Sequence, residues 1–163
     1  MIYRNTHLFP VKVLFKLCCA LIYSHVNYCF LLWGAAGKGA LDEPLIVQKK
    51  FLRLVEGLPY HHTTTGLFEK YNLIPVTRMY NYKLSLAYRA AVLNNNMVCD
   101  DITNLIPKTY FYPSRYRQQW VVPTCRTMYG EQMVQHTPPT LLNTINLDLS
   151  QCSKHTILKY FIG

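Results

Sequence analysis

The sequence predicts a mainly α-helical chain: a bundle of about four helices, then an irregular, short-stranded tail rich in basic and aromatic residues, then a last helix. Three observations carry this prediction. Apolar residues between about Val11 and Asn94 recur at helical spacing and are punctuated by Gly and Pro. Half of the 163 residues are hydrophobic, enough for a packed core. After Pro107 the helical spacing stops, and Tyr, Phe and Trp alternate with Arg across Pro113 and Pro123. The expected division is a helical region over 1–107 and a C-terminal extension over 108–163.

The first element reads as one long helix from about Val11 to Ala36. It carries no Lys, Arg, Asp or Glu from Leu17 to Gly37. On a 3.6-residue period Lys16, Ala20, Ser24, Asn27 and Tyr28 share one face, with Leu14, Cys18, Leu21 and Leu32 elsewhere. A bilayer-spanning helix would place His25 and Asn27 near mid-membrane at high cost. The run is therefore expected to be a buried helix whose Ser24, His25 and Asn27 bond neighbouring helices.

Asp42-Glu43-Pro44 is expected to open a second helix, with acids in its first turn and Pro at an early position. Val47, Phe51, Leu54 and Leu58 would form its apolar stripe, and Gly57 and Pro59 would stop it. A short third helix is expected over about Thr64 to Tyr71, with Leu67, Phe68 and Tyr71 inward. A fourth should run from Pro75 to about Asn94. Tyr80, Leu84, Ala87 and Ala91 would make its buried stripe, and Arg78, Tyr82, Ser85 and Arg89 the opposite one. Pro138-Pro139 reads as a turn. Ser150 can cap the last helix, which would present Ile157, Leu158 and Phe161 on one side.

Lys plus Arg number 17 against 8 acids, a net charge of +9. This favours anionic partners, either nucleic acid or an anionic membrane surface. The six cysteines show no C-x-x-C spacing and read as reduced, mostly buried thiols of an intracellular protein, nuclear or cytoplasmic. Asp100-Asp101 lacks the hydrophobic hairpin of a metal-binding acid pair and reads as a loop or cap. His61-His62 and His136 fit no zinc spacing. "GAAGKG" lacks the spacing of a phosphate loop. No catalytic residue, metal or cofactor is expected, so the chain does not read as an enzyme.

Binding chemistry remains. Lys49, Lys50 and Arg53 cluster on the second helix, and Arg78 and Arg89 lie on the fourth. Arg115, Arg117 and Arg126 stand among Tyr116, Trp120 and Tyr129. Cations take phosphates and aromatic faces stack on bases, a mixture suited to single-stranded or hybrid nucleic acid.

Several blocks together resemble the segment that follows the polymerase core in non-LTR (LINE-type) retrotransposon reverse transcriptases, in particular jockey-like, tick transposon-type elements. They are "ALIYSHVNYCFLLWG", "LIVQKKFLRLV", "HTTTGLFEKYNLIPV", "PTCRTMYGEQM" and "TPPTLLN". The residues carrying the resemblance are Ser24, His25, Asn27, Tyr28, Trp33 and Gly34, then Gln48, Lys49, Lys50 and Arg53, then Leu67, Phe68, Ile74 and Pro75. Leu142 stands where the family commonly has Trp. "TILKYFIG" is similar to the family's carboxyl end.

The resemblance implies a thumb-like helical region and an extension beside the template-primer. It also implies an RNA-directed DNA polymerase fragment without the palm aspartates, fingers or endonuclease. The implied partners are RNA or an RNA–DNA hybrid, bound weakly and without specificity, and the palm and fingers of the parent polymerase. Two other readings stay open: a helical protein-interaction domain, and a small protein with one membrane span near residues 11–36.

Overall fold

The computed structural model describes residues 8–28, 30–94, 105–110, 119–133, 135–145 and 147–163. They are mainly helical, as the spacing predicts, and contain no strand. The short strands expected after Pro107 reduce, among these residues, to an isolated antiparallel bridge between Pro107 and Trp120. The chain forms two compact units: Met1–Tyr80 with Leu158–Gly163, and Asn81–Ile157.

In the first unit the opening run is not one helix. It breaks into α1 (Val11–Cys18), a wider π-helical turn (Cys19–Tyr23), α2 (Ser24–Asn27) and α3 (Phe30–Trp33). The Ser24 hydroxyl turns back to the carbonyls of Ala20 and Leu21, where it competes with the backbone ladder. Tyr28 is extended, with φ −64° and ψ 123°. The Trp33 indole N–H donates to the freed Tyr28 carbonyl at 2.8 Å and spans the break.

The run is also not buried as expected. Among its described side chains from Val11 to Trp33, only Leu14 and Phe30 belong to the core. Lys16, Ala20, Ser24, Asn27 and Tyr28 are exposed, so the polar face lies where the period puts it. Leu21, however, is exposed too. Ser24 bonds its own helix instead of a neighbour, and His25 is exposed.

The next helix, α4 (Lys38–Glu56), starts earlier than expected and holds Pro44 in its interior. Pro44 removes one ladder bond, while the turn ahead of it is anchored by Leu41, which is buried. Gly57 ends the helix at φ 66°, a left-handed conformation that suits glycine. The Leu58 N–H then closes on Arg53 O at 2.9 Å.

The buried positions of α4 are Leu41, Gln48, Phe51, Leu52 and Val55, so its inner face is turned from the expected stripe and Val47 is exposed. α1 packs on α4. Leu14, Phe51, Leu52, Val55 and Phe68 form one apolar cluster. Phe15 stacks between Phe51 and Tyr71, with centroids 6.0 and 4.7 Å away. Phe68 comes from α5 (Thr65–Lys70).

Gln48 is 1% exposed in this apolar setting. Its amide nitrogen donates to Ile74 O at 2.8 Å and to the Tyr23 hydroxyl, and its oxygen accepts the Val76 N–H at 3.0 Å. Val76 begins α6 (Val76–Asn94), so the amide satisfies an N–H that the helix start leaves open. No buried side-chain nitrogen or oxygen among the described residues lacks a partner.

The second unit contains α6 from Asn81 onward, α7 (Met128–Glu131), α8 (Thr137–Thr144) and the first turn of α9 (Lys154–Ile162). Leu84, Ala91, Leu141, Ile145, Leu149 and Ile157 are buried there. Pro138-Pro139 is not a turn: both prolines lie in the first turn of α8, where a missing N–H is harmless and φ is preset. Ser153, not Ser150, caps α9, accepting the Thr156 N–H at 3.1 Å. Cys19, Cys125 and Cys152 are free thiols, half-buried where burial was expected.

Candidate nucleic-acid interface

In the first unit, α4 carries Lys49, half-buried, Lys50, exposed, and Arg53, half-buried. Arg53 is partly committed: its Nε donates to His62 O at 2.8 Å. Its guanidinium also lies over the ring of Tyr60, 5.6 Å from the centroid. Tyr60 is 64% exposed and stands edge-on to His61. The helix end at Gly57 thus folds an aromatic residue back beside a cation. Composition and spacing do not mark Tyr60; the turn signal at Gly57-Leu-Pro59 is the one clue to it.

Arg78 and Arg89 do not form the open cationic stripe expected on α6. Ser85, between them on that stripe, is fully buried and donates to Asn81 O at 2.7 Å. Arg78 is exposed, and its Nη1 approaches Phe161 O at 3.5 Å within the first unit. Arg89 is half-buried in the second unit, with Nε donating to Cys152 O at 2.8 Å. Arg89 is a structural tie within the second unit.

Arg115 and Arg117 lie outside the described residues, as do Asp100 and Asp101. Trp120 is half-buried and its backbone is gripped from both sides by one side chain. The Asn143 amide accepts the Trp120 N–H at 3.0 Å and donates to Trp120 O at 2.9 Å. This pairing repeats with a side chain what a neighbouring strand would do, and it fixes Trp120 against α8. Nothing in the sequence pattern marked Asn143.

Arg126 and Tyr129 are exposed, Tyr129 at 82%. Thr127 caps the intervening turn by accepting the Gly130 N–H. Lys108 sits 5.5 Å from the centroid of the Tyr110 ring, a further cation–aromatic pair.

His61 and His62 are on the surface. No group of three or more His, Cys, Asp or Glu among the described residues could hold a metal ion. No helix among them is long and apolar enough to cross a membrane. No protein-family model, curated protein or solved structure matches the chain.

Proposed function

We propose that this chain is a non-catalytic helical segment of a retrotransposon reverse transcriptase that contacts single-stranded RNA or an RNA–DNA hybrid weakly and supports the polymerase core. The observation that carries the nucleic-acid part is the pairing of cations with accessible aromatic rings: half-buried Arg53 with Tyr60, and exposed Lys108 with Tyr110. Arg126 and Tyr129, three residues apart and both exposed, have the same composition. Such pairs offer a phosphate contact and a stacking face together, without the rigid base-edge geometry of sequence readout. The family assignment rests on the ordered sequence blocks.

The supporting role is motivated by a second observation. Leu8, Phe9, Val11, Val13, Leu17 and Leu21 are all exposed on the first unit, an apolar surface of the kind that another protein segment covers. Taken alone, that surface favours a helical interaction domain with no nucleic-acid role.

The two readings separate in a salt titration of binding to labelled single-stranded RNA and to an RNA–DNA hybrid. With about three to five phosphates neutralised, log affinity should fall against log salt with a slope of roughly −2 to −4. Changing Lys49, Lys50 and Arg53 together to Gln should flatten the slope by about one to three units. Tyr129→Ala should weaken single-strand binding by about 1–3 kcal/mol and leave the slope in place. A folded chain with no binding at low salt would leave the interaction domain as the better account.

A further inference from the structure

We infer that a cleft in the second unit takes a guanine base, with Asp148 facing the base's hydrogen-bond donor edge, so that RNA contact by this chain is guanine-selective. The inference builds on the nucleic-acid reading and adds a base preference that surface cations alone would not give.

The cleft has a volume of about 530 Å³, and its described lining lies within residues 81–157. Tyr88 and Trp120 contribute to its wall, Leu142 and Leu149 add aliphatic surface, and Asp148 and Ser150 bring polar groups. That volume falls within the range of small-ligand sites. Trp120 is the residue held through both backbone groups by Asn143, so this part of the wall is positioned before any ligand arrives.

Among the described residues of the lining, Asp148 is the only charged one. Its carboxylate accepts the Ser150 N–H and hydroxyl, and these bonds, with a further one from the Gln151 backbone, keep it ionised below the ordinary carboxylate range. Tyr88 feels this charge, which adds to burial in raising its pKa.

An anionic wall repels phosphate and selects a ligand that donates. Among the four RNA bases only guanine presents two adjacent donors, the ring N1–H and the 2-amino group, which a carboxylate can accept together. Adenine and cytosine place an acceptor beside their amino group, and uracil flanks one N–H with two carbonyls. A cationic side chain from another protein would also satisfy Asp148, but the net charge of +9 disfavours a basic partner and attracts a polyanion.

The test uses the full chain and an oligouridine of about eight nucleotides, a length within single-strand site sizes. It is compared with the same strand carrying one central guanosine, or one central inosine, which lacks the 2-amino donor. The guanosine strand should bind about tenfold tighter than oligouridine, the low end for bonds to a charged group because Asp148 is exposed. Inosine should lose most of that gain. The salt slope should be the same for all three, since the added contact is to a base.

Asp148→Asn keeps an acceptor oxygen for Ser150 and should erase the guanosine preference, so that the guanosine, inosine and uridine strands bind alike. Free guanosine and inosine monophosphates, titrated alone, distinguish a nucleotide source from an RNA strand. Equal binding of all three strands with a steep salt slope would overturn the cleft assignment and leave the wider interface standing. Binding of guanosine monophosphate, but not inosine monophosphate, by a chain that ignores RNA would support the cleft and defeat the interface. Failure of both strands and nucleotides to bind would overturn both.

Discussion

The opening run, Val11 to Trp33, and α4 lie side by side in the first unit and use their residues in opposite ways. The opening run contains the charge-free stretch that begins at Leu17, yet of its described side chains only Leu14 and Phe30 enter the core. Helix α4 carries Asp42, Glu43, Lys49, Lys50, Arg53 and Glu56, yet it supplies Leu41, Phe51, Leu52 and Val55 to the core and holds Gln48 within it. Apolar content records what a segment can bury, whereas burial depends on which neighbours reach it. Helix α4 has α1 against it and the chain around Ile74 and Val76 tied to it. Val13, Leu17 and Leu21 are left at the surface.

The largest expected effect tests whether α4 owes its central place to one polar side chain. Gln48→Ala would strip partners from Ile74 O and Val76 N inside the core and from the Tyr23 hydroxyl. Two buried backbone groups left open cost about 1–3 kcal/mol each, and with the lost volume the total should be about 3–5 kcal/mol in chemical denaturation. Tyr23, pushed up to about 12 chiefly by burial and held down by the Gln48 bond, should titrate higher still once that bond is lost. A loss under about 1 kcal/mol would mean that the amide is a passenger and that apolar packing alone seats α4.

The next test sets one leucine from each region against the other. Leu52 is fully buried, and Leu52→Ala should cost about 2–5 kcal/mol. Leu21 is 51% exposed, and Leu21→Ala should stay within about 0.5 kcal/mol. Equal losses at the two sites would show that the opening run is covered in solution.

These contrasts also mark what could be read from the residues. Spacing places Phe68 inward on α5 and Tyr80, Leu84 and Ala91 inward on α6, while Leu67, Tyr71 and Ala87 are only half-buried and Ser85, expected on the outer stripe, is buried. It failed where geometry depends on a partner. The break after Asn27 rests on a bond from the Trp33 indole, five residues from its acceptor, which no period encodes. Pro44 looked like a helix start because proline favours the first turn, but packing of Leu41 extends the helix ahead of it. At the candidate interface the residue types were legible and their commitments were not. Arg53 and Arg89 each donate to a distant carbonyl. Tyr60 enters only because the chain reverses at Gly57.

In the second unit Asn143 is the counterpart of Gln48, another amide that clamps backbone, but it is only part-buried. Asn143→Ala should therefore cost less, about 1–2 kcal/mol, because water can reach the freed Trp120 groups. The change in Trp120 fluorescence should exceed the change in helicity by circular dichroism. Equal changes in both would mean that the clamp holds the whole unit.

The smallest expected effect concerns the ion pair that joins the end of α4 to α5. The Lys70 ammonium donates to Glu56 at 2.6 Å and the Tyr71 hydroxyl donates to the same oxygen, and these bonds lower the Glu56 pKa. A carboxyl whose pKa is lowered by folding takes up its proton more readily in the unfolded chain. Its contribution is therefore complete above the unfolded value, about 4.3, and disappears as pH falls through the lower folded value. Tyr71 works in the other direction. Burial, and then Glu56, push it up to about 12, so its contribution is complete below the unfolded value near 10 and fades as pH rises toward 12. Lys70 is 58% exposed, and solvent screening limits the pair to about 0.2–1 kcal/mol, less at high salt. Denaturation of the native chain and of Glu56→Gln should thus differ by that amount near pH 7 and converge in acid below the folded pKa. A difference that persists unchanged through the acid range would locate the effect of the substitution in packing against Tyr71. The end of α4 would then be held by shape, as its middle is at Leu52, and not by charge.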